Sequence, residues 1–164
     1  MAKSDKQNGK LFDFVGGRGE SIFELAITDY SQFPNPLFRA AFLGDKWPAL
    51  DYLVELTGVK GMTPIFFVQV KTTAQPIANN RLLVALPPKK TKALVRIPGP
   101  TYLVGVQEPM KRVFIRAVND NVAQGVYHIP VTHELTPANL VVLYDEVRAF
   151  WQQQNFKLQQ SAFA

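Results

Sequence analysis

Five short apolar runs, each stopped by proline, glycine or a polar turn, constrain what this chain can fold into more than anything else in it. Residues 50–56 (LDYLVEL), 64–71 (PIFFVQVK), 81–86 (RLLVAL), 101–107 (TYLVGVQ) and 113–118 (VFIRAV) are rich in β-branched and aromatic residues. Runs of this length between breakers read as strands. Residues 57–63 carry Gly58 and Gly61 and have the length of a hairpin connection or slightly more. Residues 126–131 read as one further extended segment.

Helices are expected between and around these runs. Residues 20–30 (ESIFELAITDY) place Ile22, Phe23, Leu25, Ala26 and Ile27 in an amphipathic pattern. The Gly16-Gly17-Arg18-Gly19 cluster before them reads as a breaker, and the polar start, residues 1–10 (MAKSDKQNGK), as a loose tail. Pro34 and Pro36 interrupt the next stretch, and a second short helix is expected around residues 37–43. Pro88 suits the first turn of a helix over residues 89–96, which Pro98-Gly99-Pro100 ends. Thr136-Pro137 is a helix-start signal, with Thr as cap and Pro at the first helical position. The helix over residues 138–154 then carries Leu140, Val141, Leu143, Tyr144, Val147, Phe150 and Trp151 at helical spacing. Its aromatic residues read as core or as a dimer face. The order of elements implies an α/β (α+β) domain with a mixed central sheet.

Composition excludes several classes. At 164 residues the chain suits one domain, and 47% hydrophobic with 19% charged residues excludes intrinsic disorder. No apolar run approaches the roughly 20 residues needed to span a bilayer. The start has no apolar segment of the signal-peptide kind. With no cysteine there is no disulfide framework, cysteine nucleophile or thiolate zinc site. This fits a reducing, cytoplasmic setting. His128 and His133 are the only histidines, too few for a histidine-rich metal centre. No P-loop, G-x-G-x-x-G, H-E-x-x-H or G-x-S-x-G motif occurs, so no organic cofactor is expected.

The net charge of +5 is unevenly distributed. Between Lys71 and Asn119 stand nine basic residues against one acid, Glu108, while the rest of the chain is net acidic. Such a segment points to an anionic partner, nucleic acid first. Lys89, Lys90, Lys92 and Arg96 fall on or beside the helix after residue 88, and Arg112 and Arg116 share one face of a strand. All six are candidate phosphate contacts, against the plainer alternative of a solvated face. Trp47 reads as core, and His133 as a surface or capping residue.

Alternation along residues 64–71 puts Ile65, Phe67, Gln69 and Lys71 on one face and Phe66, Val68 and Val70 on the other. A lysine near a buried sheet face is costly unless paired or kept wet. Asp51 is an acid amid Leu50, Tyr52, Leu53 and Val54, and the proposed hairpin sets it beside Gln69 and Lys71. Glu20 stands at the start of the helix after the glycine cluster.

The order Gly19-Glu20, Asp51-Tyr52-Leu53-Val54, Gln69-Val70-Lys71, basic helix, strand resembles the PD-(D/E)XK (restriction-endonuclease-like) nuclease superfamily. It is most similar to the Mrr-like and Holliday-junction-resolvase-like branches, where a Q-x-K motif replaces E-x-K. The resemblance covers about residues 16–118. It implies a flexible tail over residues 1–15, one nuclease-like domain over 16–164 and metal-dependent hydrolysis of DNA phosphodiesters. It also implies Mg²⁺ or Mn²⁺ held by Asp51, Gln69, the Val70 carbonyl and Glu20, with Lys71 on the attacking water. A homodimer is possible on this reading, because one small subunit would cut one strand. Gln69 in place of Glu removes a negative charge. Two other readings stay open: a non-catalytic module that binds nucleic acid or a protein partner, and an unrelated α/β domain in which Asp51 and Lys71 form a salt bridge.

Overall fold

The computed structural model describes residues 2–44, 47–122, 124–153 and 161–162, with side chains from Phe14 onward. Helix α1 (Ala2–Ile27) leads into β1 (Phe38–Phe42), β2 (Tyr52–Leu56), β3 (Ile65–Thr73) and β4 (Arg81–Leu86). There follow α2 (Pro88–Val95), β5 (Thr101–Gln107), β6 (Arg112–Ala117), β7 (Val126–Pro130) and α3 (Pro137–Gln152). Five strands form one sheet in the order β1-β2-β3-β5-β6, and β4 pairs with β7 in a separate ribbon. β3 and β5 run parallel, from Phe67 opposite Thr101 to Thr73 opposite Gln107, and all other pairs are antiparallel. The fold is thus α/β with a mixed sheet.

The sheet buries both faces. On one, Phe66, Val68 and Val70 of β3 meet Phe23 and Ile27 of α1 and Leu140, Leu143 and Val147 of α3. On the other, Leu103 and Phe114 meet Leu82, Leu86 and Ile129 of the ribbon and Leu94 of α2. Each fully buried large side chain contributes roughly 1.5–3 kcal/mol. β5 is buried at every position, as a central strand covered on both faces must be. At Gly105 a Cβ would lie 2.7 Å from Leu82 Cδ2, so the absent side chain is what lets the ribbon close on the sheet. Pro88 opens α2, and the Thr136 hydroxyl caps α3 by accepting from Asn139 N–H, both as expected.

Three expectations are corrected. The first helix does not begin near residue 20, because α1 begins at Ala2 and takes in the polar start. The glycine cluster does not break that helix, since Gly16, Gly17 and Gly19 all lie inside it. Gly19 is there for contact: a Cβ would collide with Thr72 Oγ1 on β3 and sit 2.8 Å from Thr72 Cβ. The short helix expected around residues 37–43 is strand β1, paired with β2 from Phe38 opposite Leu56 to Phe42 opposite Tyr52. Among the described residues no helix is long and apolar enough to cross a membrane.

Candidate active site

The site forms where two paired strands part. β2 and β3 are in register only from Tyr52 opposite Val68 to Glu55 opposite Ile65, while β3 runs on beside β5 as far as Thr73. Beyond Val68 the β2 side of β3 is therefore released from the ladder. Asp51, the residue before β2, takes over. Its N–H donates to Val68 O at 2.9 Å, and its own carbonyl accepts from Leu43 N–H at 2.8 Å. Its side-chain Oδ2 accepts from Val70 N–H at 2.6 Å. A backbone donor that the sheet leaves orphaned is thus satisfied by a carboxylate.

Gln69 is buried, 5% exposed, and faces the same point. Its Nε2 donates to Asp51 Oδ2 and to Val70 O, the latter at 3.2 Å. Asp51 is accordingly held by Gln69 and the Val70 N–H rather than by an ion pair with Lys71. The cleft has a volume of about 260 Å³ and is lined by Val15, Gly16, Glu20, Asp51, Gln69, Val70, Lys71 and Thr72. The four residues predicted from sequence are brought together, from α1, the start of β2 and the far half of β3. Glu20 is carried in by the close α1–β3 approach at Gly19 and Thr72. Its backbone carbonyl accepts from the Tyr52 hydroxyl at 3.2 Å.

The electrostatics are those of opposed charges drawn partly out of water. Burial pushes the Asp51 carboxyl above the ordinary carboxylate range, against the pull of the Val70 N–H, Lys71, Gln69 and Lys90. Burial also pulls Lys71 below the usual lysine range, and Lys90 adds to this, while Asp51 and Glu20 oppose it. The Tyr52 phenol is raised by burial and by the Glu24 and Glu20 carboxylates.

The oxygen donors fit a hard divalent cation. Asp51 Oδ2 and Val70 O both lie within hydrogen-bond reach of one atom, the Gln69 amide nitrogen. Turning that amide over would bring Oε1 toward the same point, beside Asp51 Oδ2 and Val70 O. Mg²⁺ and Mn²⁺ take such carboxylate and carbonyl oxygens and keep several waters. The set is poor in charge. Among the described residues no cluster of three or more His, Cys, Asp or Glu exists, so Glu20 and Asp51 supply all the carboxylate.

The basic candidates divide into two groups. Lys89, Lys90, Lys92 and Arg96 are all exposed, on α2 or at its end. Lys90 is near enough to bias both Asp51 and Lys71. Arg112 and Arg116 are instead engaged internally. Arg112 makes a two-point bond to Glu134, at 2.9 and 2.7 Å, and its guanidinium lies over the Phe114 ring. Arg116 donates to His128 O at 2.9 Å. Glu108, the only acid of the basic segment, pairs with Arg18 of α1 at 2.6 Å.

Trp47, expected in the core, is 55% exposed. It lies in the β1–β2 connection, where the Leu43–Asp51 hydrogen bond draws both ends to the sheet and leaves its ring outside. Thr72 and Val15 were not singled out by sequence, because their place at the cleft depends on how α1 crosses β3. The chain matches no protein-family model and no curated protein sequence.

Proposed function

We propose that the chain is a metal-dependent endonuclease that hydrolyses DNA phosphodiesters, with the active site of a PD-(D/E)XK-like nuclease. The observation that carries this is the convergence of Asp51, Gln69, the Val70 carbonyl, Lys71 and Glu20 on one cleft at the β2–β3 divergence. The run α1, β1, β2, β3, β4, α2, β5, with β4 set aside in the ribbon and β3 parallel to β5, supports a restriction-endonuclease-like core.

Asp51, the Val70 carbonyl, Gln69 and Glu20 would hold the cation. A bound Mg²⁺ or Mn²⁺ supplies charge neutralisation at the phosphate and a more acidic water. Lys71 is half-buried, and burial draws its pKa below the ordinary lysine range. In that place it would orient the attacking water, and as a cation it would stabilise the negative charge developing on the phosphate. Lys90, with Lys89 and Lys92 on the same helix, offers cations to the strand backbone, which gives affinity without sequence readout. A compartment free of disulfide chemistry, the cytoplasm, suits the cysteine-free chain. Cutting both strands of a duplex would take two copies, and a mass by light scattering that doubles on DNA tests this.

One observation favours a second reading, a non-catalytic nucleic-acid-binding module. The Gln69 amide already bridges Asp51 and Val70 O, and it contributes no charge toward a cation. A cleavage panel of plasmid, linear duplex, single strand and four-way junction, with Mg²⁺ or Mn²⁺, decides between them. Metal-dependent cutting by the wild type and none by Lys71→Ala is the expected result. No cutting of any substrate by folded protein selects the binding module. Equal cutting by both proteins refutes the site.

A further inference from the structure

The β4–β7 ribbon gathers a group of basic side chains that the cleft does not use. Leu83 stands opposite His128, and Arg81 opposite Pro130. Leu82, Val84 and Ile129 are buried against the sheet, so alternation turns Arg81, Leu83 and His128 outward together. Arg81 is exposed and lies diagonal to His128, and such positions across a strand pair are about 7–8 Å apart. Arg116 comes from β6, the edge strand of the sheet. Its Nη1 donates to His128 O at 2.9 Å. Three basic residues from three strands are thus grouped around one of them, His128.

The group lacks a counter-charge. Among the described residues there are four ion pairs, and neither Arg81 nor Arg116 is in any of them. Arg112, on the same face of β6, is neutralised by Glu134. Arg116 is held by a carbonyl instead. That bond fixes its guanidinium without cancelling its charge, and it takes up one of five N–H groups. Burial, and then the Arg81 and Arg116 charges, hold the His128 imidazole below the ordinary histidine range. Like charges gathered without a counter-ion repel, and a bound anion removes that cost.

We propose that Arg81, Arg116 and His128 form a binding site for a phosphate oxyanion on the ribbon. Arg116 is the fixed donor, and Arg81 supplies the second charge across the strand pair. His128 takes a proton from solvent as the anion binds. The site shares no lining residue with the cleft and does not depend on the nuclease reading. Two sources offer this chemistry, the backbone of a nucleic acid and a free phosphate.

The test follows the two histidines of the chain by NMR as pH is varied. His133, whose Nδ1 is engaged with Ile115 O, serves as the control, and His128→Gln assigns the signals. Sulfate is the probe, because it keeps its charge across the titration. Chloride at equal ionic strength accounts for screening. Sulfate is expected to raise the His128 pKa beyond the effect of chloride and to leave His133 where chloride leaves it. Arg81→Ala and Arg116→Gln should each abolish that difference. The second keeps a donor for His128 O, so its loss reports charge and not folding. A duplex oligonucleotide without divalent metal should raise the same pKa. Arg81→Ala should also reduce the salt slope of duplex binding by about 0.9. A His128 response to sulfate no larger than that to chloride, or one unchanged in Arg81→Ala, overturns the site. A response to sulfate but not to duplex keeps the site and assigns it to a free phosphate. Cleavage by the wild type with no response of His128 overturns the site and leaves the nuclease standing. A response of His128 with no cleavage under any metal does the reverse.

Discussion

Three glycines within one helical turn and a half of α1 should respond to alanine with opposite signs. In a helix interior alanine is favoured over glycine by about 0.8–1 kcal/mol. A Cβ at Gly16 or Gly17 would meet nothing within 4 Å, so each substitution should capture that gain in full. At Gly19 the added carbon collides with Thr72 Oγ1 and stands 2.8 Å from Thr72 Cβ and Cγ2. Both partners sit on rigid elements, and overpacking of this kind costs about 1–3 kcal/mol. The propensity gain offsets part of it, so Gly19→Ala should be destabilising by up to about 2 kcal/mol. Urea or thermal denaturation of the three single variants measures this, at about 2–4 °C per kcal/mol for a chain of this size. Because Thr72 adjoins Lys71 and Glu20 adjoins Gly19, the same variant should also lose cleavage beyond its loss of stability. If Gly19→Ala stabilises the protein as much as Gly17→Ala, α1 does not rest on β3 at Thr72. The account of how Glu20 reaches the cleft would then fall.

Other outcomes follow from the site. Lys71→Ala should lower the cleavage rate of the folded protein by about 10²- to 10⁴-fold, the usual range for a positioned acid–base group; an unaltered single-turnover rate would remove Lys71 from the mechanism. Asp51 carries a raised folded-state pKa, so its stabilising contribution is full below the ordinary carboxylate range and is lost as pH rises through the raised value. Asp51→Asn should therefore raise the melting temperature of the metal-free protein at neutral pH and lose that advantage in acid. The same variant should lose the metal-induced stabilisation, which for the wild type is about 2.7 kcal/mol at a hundred times Kd. Lys90→Ala should weaken nucleic-acid binding and reduce the salt slope by about 0.9. Arg112→Ala should instead cost about 1 kcal/mol of stability through Glu134 and leave that slope unchanged.

Much of the site could be read from one chain because its signals are local. Alternation along β3 separates Gln69 and Lys71 from Val68 and Val70 before any partner is known, and an acid among Leu50, Tyr52 and Val54 has few reasons to be there. The parting of β2 and β3 was not legible, because it depends on where one ladder stops and another continues. The field of Lys90 on Lys71 depends likewise on the β4–α2 crossover. β1 misled because Arg39, Ala40 and Ala41 favour helix, and pairing with β2 overrides a propensity that small. The glycine cluster misled because its backbone cost is local, whereas the contact that repays it at Gly19 lies on β3, and the helix carries the cost of Gly16 and Gly17.

β3, like β5, has a parallel partner on one side and an antiparallel partner on the other, and it carries Gln69, Val70 and Lys71. Parallel pairing with β5 requires the chain to return through the whole β4–α2 excursion, a non-local closure of the kind that forms slowly. Once formed, that strand is central, flanked by helices on one face and the ribbon on the other. The amide proton of Val68 should then exchange with solvent only through global opening, and that of Val70, bonded to Asp51 at the cleft, sooner. On heating, the chemistry should be lost with the fold and not ahead of it, unlike sites carried on mobile loops.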